Sequence, residues 1–157
     1  MSNLLSTGLN MDEVILEWYE ADKRILNKVS KSGRDISMKF LQGNPNLREG
    51  DILYRDNEQV IVVKMNPCSC IVISPDSILT ASAVCYEVGN KHLPLFYEEG
   101  DLLVPYENPL YNLLQSSGYA VRIEERKLQH RIKTTVMPHI QLAAGELIFN
   151  KNKGLPS

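Results

Sequence analysis

The residues here that could do chemistry are metal ligands. The 157-residue chain carries three histidines, His92, His130 and His139, and three cysteines, Cys68, Cys70 and Cys85. Imidazole nitrogen suits Ni, Cu and Zn, and copper would outrank the other two in raw affinity. No H-x-x-x-H, C-x-x-C or H-E-x-x-H spacing occurs, so no single segment builds a site by itself. His92 follows Cys85-Tyr86-Glu87-Val88-Gly89-Asn90-Lys91, which reads as the end of an amphipathic helix, a glycine stop, and an imidazole on the connection to the next strand. A loop with one ligand becomes a site by symmetry: two chains meeting about a two-fold axis beside it present the same imidazole twice.

Cys68-Ser69-Cys70 is a second candidate. Residues two apart on a strand share a face, so both sulfurs could approach one soft ion. The same alternation marks a strand with two small buried residues, and that core reading is preferred because Cys is among the most buried residue types. Catalysis is not expected. Gly50-Asp51 and Gly100-Asp101 are turn residues before strands, and neither opens a helix to cradle a phosphate. No nucleophile–base pair or paired-carboxylate motif stands out.

The elements that must position these ligands fall into two sets. Val14–Tyr19 and Asp35–Phe40 read as strands joined through the turn Lys31-Ser32-Gly33-Arg34, with Ile25, Leu26 and Val29 assigned to strand. Leu47–Tyr54 is a turn feeding a strand, and Gln59–Met65 is an unbroken apolar run suited to a strand covered on both faces. This spacing describes a small β-sandwich or barrel. Beyond Asn66-Pro67 the pattern changes. A strand, Cys68–Ile73, leads to a helix expected from about Pro75 to Val88, capped by Ser74, with Ile78, Ala81, Cys85 and Val88 as its core stripe and Gly89 as its left-handed C-cap. A hairpin with Gly100 in its turn follows, then a second helix opened by Asn108-Pro109 and closed by Gly118, then a strand, Tyr119–Ile123. The order β-α-β-β-α-β is ferredoxin-like. The fold expected is therefore α+β: a β-rich N-terminal domain over 1–66, open to a peptide or partner-binding role; a ferredoxin-like domain over 67–126; and a flexible C-terminal tail over 127–157.

Composition narrows the partners. A net charge of −2 makes no field to hold a polyanion, which removes nucleic acid. No apolar run nears the roughly 20 residues that cross a bilayer, and Met1-Ser2-Asn3-Leu4-Leu5 lacks a basic region before a long apolar one. Together with three cysteines that make no disulfide framework, this sets a cytoplasmic expectation.

The segment Cys85-Tyr86-x-x-Gly89-Asn90-Lys91-His92-x-x-Leu95 resembles the C-Y-x-x-G-N-[RK]-H-x-x-L signature of the urease nickel chaperones, the UreE-type accessory proteins. The resemblance covers roughly residues 12–126 and is strongest over 83–118. It implies a β-rich domain joined to a ferredoxin-like metal-binding and dimerisation domain, with His92 of each chain binding the ion at a homodimer interface. Met137-Pro138-His139 resembles the M-P-H segment of some members, which implies His139 as an additional ligand. His130 matches no motif. The cargo implied is Ni2+, with Zn2+ or Cu2+ also able to bind. The partners implied are a second copy, urease apoprotein and the other accessory proteins, including the GTPase.

The chain departs from the family pattern in three places. It has no histidine-rich tail, so capacity is expected near one ion per dimer. The hairpin carries Val104-Pro105-Tyr106-Glu107 where some members carry further histidines. Glu87 stands where some have histidine, and a ligand role there is disfavoured. The function expected is nickel delivery to urease without a catalytic step. The alternative is a non-catalytic peptide-binding adaptor whose working surface includes Trp18, Tyr19 or Tyr54 and whose metal binding is incidental.

Overall fold

The structure, a computed structural model, describes residues 8–133. Its elements in chain order are β1 (Asn10–Leu16), a 3-10 turn (Trp18–Glu20), β2 (Ile25–Val29), β3 (Asp35–Lys39), β4 (Ile52–Arg55), β5 (Gln59–Met65), β6 (Cys68–Ile73), α1 (Ile78–Asn90), β7 (Phe96–Glu98), β8 (Asp101–Pro105), α2 (Asn108–Ser116) and β9 (Val121–Arg126). Two compact units divide after Asn66, each around its own apolar core.

In the first unit β5 is central, parallel to β1 on one side and antiparallel to β4 on the other. That position accounts for its apolar run, since Val60, Ile61, Val62, Val63 and Met65 are all buried. β2 and β3 form a separate antiparallel hairpin, turned with Gly33 at φ 85, a value glycine tolerates best. Leu26, Ile36 and Met38 of the hairpin share one core with Val14 and Leu16 of β1 and Ile61, Val63 and Met65 of β5. Asp12 ties the hairpin turn to β1: its carboxylate accepts from the Ser32 hydroxyl at 2.5 Å and the Ser32 N–H at 3.0 Å.

The first strand ends earlier than its apolar pattern suggests. Trp18 and Tyr19 leave it because Glu17 and Glu20 close a 3-10 turn, with the Glu20 carboxylate accepting from the Glu17 N–H at 2.9 Å and from Lys28 Nζ at 2.8 Å. Trp18 is half-buried, its ring edge-on to exposed Tyr19 at 5.5 Å between centroids.

In the second unit the sheet order is β7-β8-β6-β9 with every neighbour antiparallel, the ferredoxin-like arrangement. One sheet face, Ile71, Ile73, Leu102 and Val104, packs on Val84 and Val88 of α1 and Leu110 and Leu114 of α2. The β7–β8 turn has Glu99 at φ 49 and Gly100 at φ 96, both positive as a two-residue type I′ hairpin requires. The opposite sheet face, to which alternation sends Cys70, Val72, Phe96 and Leu103, is not left bare. Residues 127–132, expected from sequence to begin the tail, form a strap. Leu128 is 2% exposed beside Phe96 and Leu103, and the Tyr97 N–H donates to the His130 carbonyl while the Ile132 N–H donates to that of Leu95. One buried leucine and a row of backbone hydrogen bonds hold a segment whose composition looks like tail.

Helix α1 departs from expectation at both ends. It starts at Ile78 because Ser77, not Ser74, accepts from the Thr80 N–H, at 3.1 Å; Asp76 then accepts from the Thr80 hydroxyl at 2.8 Å. It runs on through Gly89 to Asn90, so Gly89 is an ordinary helical residue and not the cap. The core stripe is Val84 and Val88, with Cys85 packed beside them. Ile78 points to solvent, 88% exposed.

Candidate metal-binding site around His92

Beyond Asn90 the chain makes a Schellman ending, in which the residue past the C-cap turns left-handed so that two amides can reach back to the last carbonyls. Lys91 is the cap, at φ −85. The His92 N–H donates to the Gly89 carbonyl at 3.0 Å, the Leu93 N–H donates to that of Val88 at 3.3 Å, and His92 itself sits at φ 55. Helix α2 ends in the same way: Gly118 N–H donates to Gln115 O, Tyr119 N–H donates to Leu114 O, and Gly118 sits at φ 83. The fold thus uses one motif twice, with glycine in the left-handed position of α2 and histidine in that of α1. Left-handed backbone costs an L residue roughly 1–2 kcal/mol, though His enters this region more readily than most.

The loop is firmly held on both sides. Leu93 packs against the second unit's core, and Leu95 and Phe96 are buried. His92 is exposed, so an imidazole is presented outward on a turn fixed by hydrogen bonds and apolar anchors.

The face of α1 turned away from the core leads to this imidazole. At 100° per residue, Ile78, Leu79, Ser82, Tyr86 and Gly89 lie together opposite Val84 and Val88. Ile78, Leu79 and Tyr86 are 88%, 81% and 70% exposed. The Ser82 hydroxyl is satisfied inside the helix, donating to the Ile78 carbonyl at 2.8 Å. A β-carbon built on Gly89 would meet no atom within 4 Å. The helix is apolar on two sides, and only one is covered in the single chain. The sequence holds both stripes, but reading one periodic set conceals the other.

The strap runs antiparallel to the chain after His92, since His130 lies beside Tyr97 and Ile132 beside Leu95. His139 lies outside the described residues. His130 is exposed, and its backbone carbonyl makes the strap's bond to Tyr97. Among the described residues no group of three His, Cys, Asp or Glu side chains converges on one point. Cys68 and Cys70 do come together, their sulfurs 3.7 Å apart on β6. Cys70 is fully buried, and burial first, then the Cys68 sulfur, pushes its thiol up to about 12.

No helix among the described residues is long and apolar enough to cross a membrane. Comparison with known proteins gives a consistent assignment. Residues 6–66 match the model of the UreE urease accessory protein N-terminal domain, and residues 58–139 match that of its C-terminal domain. The chain is 39% identical over 143 residues to the urease accessory protein UreE of Flavobacterium johnsoniae, covering 91% of this chain and 87% of that protein. It is 35% identical over 127 residues to the UreE of Actinobacillus pleuropneumoniae, covering 81% and 68%. With the UreE of Helicobacter pylori it shares 35% identity over 144 residues, covering 88% and 84%. The two-unit α+β fold and the matches across nearly the whole described chain lead to one conclusion: the chain belongs to the UreE urease accessory protein family.

Proposed function

We infer that the protein is a nickel-binding metallochaperone of the cytoplasm that delivers Ni2+ to urease during active-site assembly. It acts as a homodimer. His92 of each chain binds the ion at the two-fold interface, and His139 of the tail joins or guards the coordination shell. The ion is cargo, and the protein performs no catalytic step. Urease apoprotein and the other accessory proteins, including the GTPase, receive or route the metal.

The observation that carries this reading is the exposed imidazole of His92 at the left-handed end of a helix whose outward face is apolar. Burying Ile78, Leu79 and Tyr86 against the same residues of a second copy would contribute about 1.5–3 kcal/mol for each side chain fully covered. An isologous interface along this face, with its two-fold axis parallel to α1, would bring its two His92 loops together. Two nitrogens leave open positions on the ion, which suits a carrier that must release it. The strap's bond from Ile132 to Leu95 lies three residues from His92 in sequence, and the six residue steps from Lys133 to His139 can span up to about 20 Å, which supports the tail ligand.

A partner-binding role for the first unit has separate support. Met11 and Ile15 of β1 and Ile52 of β4 are each about half exposed on the outer face of their sheet, an apolar strip of the kind that docks other proteins. The test of the whole reading is activation of urease apoprotein by the purified accessory set at limiting nickel. Wild type should raise the activated fraction, His92→Ala should fall to the level without this protein, and equal activation by the two would refute the assignment.

A further inference from the structure

The pair Cys68 and Cys70 lies on the sheet face away from both helices, apart from the element that carries His92. The sulfurs are 3.7 Å apart. With metal–sulfur bonds of about 2.3 Å, as thiolates make to a zinc ion, sulfurs about 3.8 Å apart subtend a tetrahedral angle at an ion between them. The observed spacing therefore already matches a two-sulfur chelate. β6 fixes it: Cys68 and Cys70 pair with Arg126 and Glu124 of β9, and Cys70 also pairs with Pro105 of β8, so both backbone positions are set by the sheet. Cys70 Sγ donates to the Cys68 carbonyl at 3.2 Å, holding the side chain folded toward its neighbour. Cys70 is buried and Cys68 is half-buried, which gives an ion one open side of approach. The tetrahedral angle leaves further positions on the ion open, and among the described residues no third His, Cys, Asp or Glu side chain fills them. Thiolate softness selects Cu(I) over Ni2+.

We propose that Cys68 and Cys70 form a second, thiolate site that takes one Cu(I) per chain, independent of the histidine site and of the dimer. Binding forms two sulfur–copper bonds, and the proton held by each sulfur leaves to solvent. Copper supplied as Cu(I) stays Cu(I), so no electron moves. The site would let the chain sequester a thiophilic ion away from the imidazoles where copper would otherwise outcompete nickel.

The test is anaerobic titration of metal-free protein with Cu(I) against a chromogenic Cu(I) chelator, read also by near-ultraviolet sulfur-to-copper absorption. Wild type should bind one Cu(I) per chain with that absorption. Cys68→Ser, at a half-buried position, should fold and lose more affinity than the roughly 100-fold that removing an outer-sphere partner costs. Cys85→Ser, on the helix side of the sheet, and His92→Ala should keep both the affinity and the band. The proposal is overturned if wild type takes up no Cu(I), if Cys68→Ser binds as wild type does, or if Cys85→Ser loses the band. Nickel binding is measured on the same samples, so failure of the copper site and failure of the nickel reading are separate results.

Discussion

Replacing His92 by glycine should make the metal-free protein more stable while removing the proposed nickel ligand. The two helix ends of the second unit share one hydrogen-bond pattern but place Gly118 and His92 in the left-handed position. The left-handed cost for an L residue is roughly 1–2 kcal/mol, at the lower end for histidine. Glycine's extra freedom in the unfolded chain returns part of that gain. The net expectation is about 0.5–1 kcal/mol of added stability. For a unit of this size that is a rise in Tm of about 2–8 °C. The assay is calorimetric unfolding in excess chelator at fixed protein concentration, so that neither metal nor dimerisation shifts the midpoint. Gly118→Ala is the mirror experiment and should lower the midpoint by a similar amount. A lower midpoint for His92→Gly, or no change for Gly118→Ala, would refute the claim that His92 occupies a position the fold prefers to give to glycine.

Other outcomes come from the same geometry. Leu79→Asp, on the exposed face of α1, should convert the species seen by light scattering from twice the chain mass to once and abolish shared nickel binding; a persistent dimer would move the interface elsewhere. Leu128→Ala should destabilise the second unit by about 2–5 kcal/mol through the cavity left under the strap, read as a lower midpoint in urea, and an unchanged midpoint would mean that the strap contributes nothing. Burial pulls the Asp12 carboxyl upward, but hydrogen bonds from Ser30, Ser32 and two backbone amides outweigh it and hold the group below the usual carboxylate range. A carboxyl depressed in the folded state adds stability above its unfolded value, near 3.8, and loses it as pH falls through the folded value. Asp12→Asn should therefore be less stable than wild type at pH 7, with the gap closing below about pH 4; a gap that does not narrow would contradict the assignment. Nickel affinity should fall as pH is lowered, because protons compete with the ion for imidazole nitrogen, and undiminished binding at pH 5 would count against a histidine site.

Much of this architecture is legible from residue order because local signals and tertiary packing agree. The β-α-β-β-α-β order, the Gly33 and Gly100 turns and the doubly covered β5 each follow from periodicity or a turn residue, and the structure has them. Disagreement arises where one residue type serves two purposes. Gly89 looks like a helix stop, yet the helix continues through it because the next residues, Lys91 to Leu93, supply the cap geometry instead. Ile78 looks like core because it completes a stripe with Ala81, Cys85 and Val88, but a second stripe overlaps the first and the core takes Val84. Ser74-Pro75 has the composition of a helix start, but the hydroxyl that reaches a free amide is that of Ser77. The strap escapes notice because a single leucine anchors it and its other bonds are made by backbone, which leaves no side-chain pattern. His92 is identifiable through its motif, while its left-handed backbone becomes visible only in the structure.

The proposed nickel carriage requires one imidazole per chain to meet its copy around one ion. The most direct measurement is a calorimetric nickel titration of wild type and His92→Ala, with molar mass followed by light scattering in the same buffers. One ion per two chains in wild type, lost in the variant while the mass stays at that of the dimer, is the predicted result. Nickel bound by His92→Ala with unchanged affinity and stoichiometry would contradict it.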